Sequence, residues 1–259
     1  VYFGWRILMT TVETVSNEKT PPLWQLLFGI IDRPAATFKA VLARRKWYMW
    51  AVPLLVVLLC MSAMMVVRTP YDMEIAQQEM ERQLATMSPD QAEAARASME
   101  TFMSFPVRLA TALITAIIML LIGVVAQAAI LYFGALVTGG EVDFRSVFTM
   151  SSWTRLPMAI YFLVQAVFMF VAQRAINSPG LSALVATGDL MKDSQNPLFT
   201  LLGRLDPFWL WHLFLVVVGL SVAAQFSRVK SLVLMLIYIA VSLAAMALPA
   251  LLFGGLAGG

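Results

Sequence analysis

The run Leu109-Ala-Thr-Ala-Leu-Ile-Thr-Ala-Ile-Ile-Met-Leu-Leu-Ile-Gly-Val-Val-Ala-Gln-Ala-Ala-Ile-Leu-Tyr-Phe-Gly-Ala-Leu136 holds 28 residues without a charge. That is too long and too apolar for a soluble core helix, and it reads as a membrane span. As a helix it reaches about 42 Å against a hydrocarbon core of about 30 Å, so it must tilt or project beyond the lipid. It ends at Gly139-Gly140, a short polar turn follows from Glu141 to Phe148, and Arg155-Leu-Pro157 leads into the next apolar run. Two spans joined in this way predict a hairpin on which other helices pack. Composition agrees: with 60% hydrophobic and 13% charged residues in 259, lipid must cover part of the apolar surface.

The apolar runs predict an all-α, polytopic bundle of five transmembrane helices, at about 47–67, 109–136, 156–173, 207–226 and 231–253. Residues 1–20 read as a disordered tail and 254–259 as a flexible one. Val1 to Met9 is too short to span, and Met9 before a polar run looks like an ordinary start, with 1–8 an upstream extension. The first long apolar run begins only at Trp47, which suits an uncleaved signal anchor rather than a cleaved signal peptide. Residues 21–46 form a cytoplasmic or interfacial amphipathic segment. Within it Phe38, Val41 and Leu42 share one face of a helix over 34–45, started by Asp32-Arg33-Pro34 and expected to lie in the membrane interface.

Charge orients the bundle. Arg44, Arg45 and Lys46 directly precede the aromatic pair Trp47 and Trp50, the mark of a cytoplasmic boundary and of contact with anionic lipid. With the N-terminus inside, the inner segments carry eleven Lys/Arg and the outer ones seven. The prediction is a multi-pass protein of the plasma (inner) membrane, N-terminus cytoplasmic and C-terminus extracytoplasmic.

Ser88-Pro89, Ser178-Pro179, Asn196-Pro197 and Asp206-Pro207 each set a capping side chain before a proline, a pattern that starts helices. The extracytoplasmic loop 68–106 is read as a helical hairpin. Met80, Leu84 and Met87 lie on one seam, Met99 and Phe102 on the other. These methionine-rich seams either close on each other or dock a partner.

Three stretches together resemble the bacterial branch of the YIP family of integral membrane proteins, named for eukaryotic members that bind Ypt/Rab GTPases. They are Pro34-Ala-Ala-Thr-Phe38, Gly139-Gly140 with its extension through Phe144 to Pro157, and Asn196-Pro-Leu-Phe leading to Leu205-Asp206-Pro-Phe208 and Trp211. With the five-span layout they cover most of residues 24–253. The resemblance implies a five-helix membrane bundle with a cytoplasmic N-terminus and no established catalytic activity. It implies action in vesicle traffic for eukaryotic members, and association with ABC-type exporters for some bacterial ones. The Asp-Leu-Tyr-Gly-Pro and Gly-Tyr signatures of the eukaryotic branch are absent, so Rab binding is not carried over.

Chemistry is sparse. His212 and Ser221 fall nine residues apart on one span, roughly 13 Å along its axis, too far to form a dyad. One histidine, and one cysteine (Cys60) read as a small apolar residue, suit no usual zinc site. No catalytic, cofactor or metal residues are expected, and no nucleic-acid partner. Gln127 and Gln165 lie well inside spans and read as interhelical glue, or else as the lining of a polar path. His212 reads as a histidine at headgroup level, the alternative being a pH-sensing or ligand role. Gly219 with Ala223, and Ala240 with Ala244, are small faces for packing the last two spans. The expected function is a scaffold or accessory subunit of a transport or secretion assembly, partnered by lipid and other membrane proteins, possible ABC-type exporters among them. A small-solute channel or carrier is the alternative. The apparent lack of a broken helix or buried charge weighs against a carrier.

Overall fold

The computed structural model describes residues 21–93 and 104–253; among them every regular element is helical. In chain order the helices are α1 (Leu23–Asp32), α2 (Pro34–Ala43), α3 (Tyr48–Leu84), α4 (Phe105–Val137), α5 (Phe144–Trp153), α6 (Leu156–Ala172), α7 (Leu190–Gln195), α8 (Pro197–Leu202), α9 (Pro207–Ala223) and α10 (Arg228–Phe253). Four stretches are long and apolar enough to cross a membrane: Tyr48–Leu84, Phe105–Val137, Phe144–Ala172 taken across its break, and Arg228–Ala245. The expected fourth span is α9, whose 17 residues reach about 25 Å. The chain is a multi-pass, all-helical membrane protein.

α4 ends as its glycines require. Gly139 adopts φ +77°, its amide bonds the Leu136 carbonyl and the Gly140 amide the Ala135 carbonyl, the paired bonds of a Schellman stop. Lys230 Nζ then caps the Thr138 carbonyl at 2.5 Å and stacks over Phe226, placing a cation at the negative end of the helix. The expected polar turn beyond Gly140 is mostly helix. Asp143 caps α5 by accepting from the Ser146 amide, and Val147, Met150 and Trp153 are buried at three-residue spacing.

α3 packs along α6 and against α4 and α5; α9 packs against α2, α5, α6 and α10; α10 closes on α4. α2 buries Phe38 and Val41 in the bundle and leaves Lys39 exposed. The outward apolar face belongs to α1, which shows Trp24, Phe28 and Ile31 while burying Leu26 and Ile30. Gly219 has Met150 and Phe38 as its nearest neighbours, so this small residue serves the seat of α2 and α5.

The proline caps hold at two of the outer sites. Asn196 accepts from the Leu198 amide and Asp206 from those of Phe208 and Trp209. Ser178-Pro179 starts no helix, because Gly180 enters the left-handed region at φ +56° and turns the chain onto the carbonyls at the end of α8. α3 runs unbroken from the membrane to Leu84, so the first hairpin arm continues the span; Leu84 is buried, Met80 partly so and Met87 exposed. A further helix begins at Pro89, where the second arm is expected, with the Ser88 amide donating to Gln91 Oε1. Met99 and Phe102 lie outside the described residues.

A side chain at position 219 would meet Met150 Cγ at 2.5 Å. Gly219→Val is expected to cost about 1–3 kcal/mol through overpacking, whereas Gly123→Ala stays within about 1 kcal/mol. Unfolding of the two variants in detergent checks the difference.

Candidate functional site

The centre of the bundle is built around carbonyls that prolines leave without partners. Pro53, inside α3, has no amide hydrogen to offer the Met49 carbonyl one turn back. The Trp153 indole takes its place, donating to Met49 O at 2.6 Å. Pro157 stands at the start of α6, and the Met158 amide turns back to Arg155 O. The Thr154 carbonyl is thereby freed, and His212 Nδ1 reaches it at 2.6 Å. A carbonyl only accepts, so Nδ1 carries the proton and Nε2 the lone pair.

A second chain of bonds crosses the same break. Gln127 donates to Thr154 Oγ1 at 3.1 Å, Thr154 Oγ1 donates to Ser151 O at 2.8 Å, and the Tyr238 hydroxyl lies 3.5 Å from Gln127 Oε1, at the limit of a hydrogen bond. Arg155 donates to Gly123 O at 3.1 Å. Gly123 lies about 27 Å along α4 from Phe105 and about 21 Å from Val137, so the guanidinium reaches the middle of that helix. Four elements, α4, the α5–α6 break, α9 and α10, are tied together there. Arg155 Nε, His212 Nε2, Ser151 Oγ and Ser231 Oγ are buried without a hydrogen-bond partner.

This arrangement changes several expectations. His212 is 2% exposed, enclosed by the bundle rather than open to interfacial water. Arg155, read from the sequence as a boundary charge, is a cation inside the bundle, and the span that carries it is broken. Gln127 bonds across helices to Thr154, and Gln165 is buried at 8% exposure in α6. Ser221 bonds back to the Val218 carbonyl. Trp153, Thr154, Arg155 and Tyr238 were missed; Pro53 and Pro157 were the available signal, each announcing an unpaired carbonyl.

The boundary residues gather at the opposite end of α5. Arg45 pairs with Asp143 at 2.5 Å, Arg145 donates to Arg45 O, and Arg44 donates to Pro21 O. Trp50 meets Phe148 edge-on, while Trp47 is largely exposed beside Tyr48 and Lys46 is exposed. Among the described residues, no group of three His, Cys, Asp or Glu side chains is placed to hold a metal.

A family model, the Yip1 domain, matches residues 28–249. The chain belongs to the Yip1 family. No curated protein and no solved structure matches it. The Yip1 domain takes in α2, both proline-freed carbonyls and all of the central network, so the polar centre is part of the family unit rather than an appendage.

Trp153→Phe removes the donor from Met49 O and is expected to cost about 1–3 kcal/mol. Pro53→Ala restores a backbone donor to that carbonyl. In the Pro53→Ala background the Trp153→Phe cost should shrink by about 0.5–1 kcal/mol, a coupling read from a double-mutant cycle of unfolding in detergent. Additive costs would mean that the indole acts through packing alone.

Proposed function

We propose that this Yip1-family protein is a non-enzymatic scaffold or accessory subunit of a transport or secretion assembly, in the bacterial branch of its family, with ABC-type exporters as the partner class. The observation that carries this reading is how the interior polar groups are used. Gln127, Thr154, His212 and Tyr238 bond to one another and to freed carbonyls, so they join helices instead of lining an opening. These bonds leave Arg155 Nε, His212 Nε2, Ser151 Oγ and Ser231 Oγ without partners but join helices, and the scaffold reading places the protein's action on its surfaces. The docking surface in this reading is the extension of α3 and the arm begun at Pro89, with Met80 and Met87 on its seam. Seven acidic and three basic residues in 68–106 leave this extracytoplasmic hairpin negatively charged. Methionine seams adapt to varied partners, which suits a docking arm.

The membrane arrangement proposed with it has five spans, α9 being the fourth and accommodated by local thinning of the bilayer or by its neighbours. The N-terminus is cytoplasmic in the plasma (inner) membrane. In favour, Arg44, Arg45, Arg145 and Lys230 all fall in the segments assigned to the inner face.

A carrier is the second reading, and one observation favours it. The span Phe144–Ala172 is broken at Thr154-Arg155 beside a buried cation, the combination found where discontinuous helices bind solutes.

Single cysteines in a Cys60→Ser background separate these readings. Leu184→Cys should react with an impermeant maleimide in intact cells and Glu141→Cys should not; the reverse overturns the orientation. Gln127→Cys should resist even small water-soluble thiol reagents, because the amide is packed; ready reaction there would favour the carrier. For the docking arm, residues 74–103 are replaced by a short Gly/Ser linker. The shortened protein should insert normally and lose its co-purifying membrane partners in mild detergent. Retention of the same partners would reduce the hairpin to a connector.

A further inference from the structure

Two features of the surface meet at Lys46-Trp47. On one side Arg44, Arg45, Lys46 and Arg145, with Ser146 and Thr149, surround a depression of only about 10 Å³, room for one water, so a larger anion sits over the cations rather than between them. Sequence order gives only the triplet; the fold adds Arg145 from the first turn of α5, 99 residues beyond Lys46. Asp143 offsets one of the four cations through its pair with Arg45. Burial opposes ionisation of that carboxyl, but the Ser146 hydroxyl and amide and the Arg45 guanidinium outweigh it and hold it below the ordinary carboxylate range. Arg44 and Arg145 each donate a terminal nitrogen to a backbone carbonyl. Those bonds fix the guanidinium groups in place and leave their charge uncompensated, so an anion meets a preorganised set of donors.

On the other side, starting at Trp47, an apolar groove of about 360 Å³ runs between α3 and α4. Trp50, Ala51, Leu55 and Leu58 line it from α3, and Ile117 and Leu121 from α4. From Trp47 to Leu58 the α3 wall is about 16 Å long. Its lining is almost wholly apolar and belongs to two stretches that cross the membrane. A basic cluster that ends at Lys46, one residue before an apolar trough that begins at Trp47, sets the two chemistries of a phospholipid side by side.

We infer that this edge of the bundle holds one anionic phospholipid, its headgroup phosphate over the Arg44–Arg45–Lys46–Arg145 cluster and an acyl chain in the α3–α4 groove. The inference is independent of whether the bundle serves as scaffold or carrier. It differs from a diffuse attraction of basic residues to the membrane surface, because a discrete site saturates at one molecule and depends on the trough as much as on the charges.

The test titrates the full chain in detergent with phosphatidylglycerol and with phosphatidylcholine, counting bound lipids by native mass spectrometry. A first phosphatidylglycerol should saturate well before any phosphatidylcholine adduct. Arg44→Gln with Arg145→Gln should weaken that first adduct roughly thirtyfold, and Lys46→Gln, whose side chain is exposed, about fivefold. Ala51→Trp fills the trough without changing charge and should weaken it about tenfold, the equivalent of roughly two buried methylenes. Parallel uptake of the two lipids overturns the site. So does an Ala51→Trp variant that binds phosphatidylglycerol as tightly as the parent, since charge alone would then account for the attraction.

Discussion

Inside a bilayer no water is at hand to satisfy a backbone carbonyl, and the structure depends on how this chain meets that constraint. Pro53 and Pro157 each disturb a helix where an unpaired carbonyl costs about 1–3 kcal/mol. The chain answers both with aromatic N–H donors from other elements, Trp153 to Met49 O and His212 to Thr154 O. The two donors convert local breaks into tertiary ties: α3 to α5 in one case, α9 to the α5–α6 junction in the other. Neither proline could be introduced alone without loss.

The same break explains how a guanidinium is tolerated so far along α4. Arg155 stands where the backbone is irregular, and it reaches Gly123 O on the neighbouring α4. Leaving the cation without that carbonyl would be costly. Gln127 makes the arrangement cooperative, joining Thr154 to Tyr238 with the two ends of one amide.

Much of the frame was readable from local pattern. The run 109–136 lies inside α4, the glycines after it make the expected stop, and Asn196 and Asp206 cap the helices that follow them. These features depend on residues within a turn of one another. α5 was not readable in the same way, since Arg145, Ser146, Thr149, Ser151 and Ser152 mask the apolar spacing of Val147, Met150 and Trp153. Arg155 was misplaced for a related reason: beside a polar stretch, a charge looks like a boundary. Trp153 and Met49 stand 104 residues apart, and no periodicity within either helix points to the other. Pro53 tells that Met49 O is freed but not which side chain will find it. Pro157 points to Trp153 O, whereas the carbonyl that His212 takes is the next one, left by the turn of the Met158 amide to Arg155 O. The five-span count stays less tightly drawn, because α9 is short for a bilayer.

The seat of α2 has a consequence in time. Phe38 is fully buried against Gly219, which follows it by 181 residues, so this early segment leaves the ribosome long before its seat exists. At about 5–20 residues per second the interval is roughly 10–35 s. For that period Phe38 and Val41 lack their final cover and must be held by the lipid surface or by an insertion factor. α2 is therefore made well before the helix it docks on and takes its seat late.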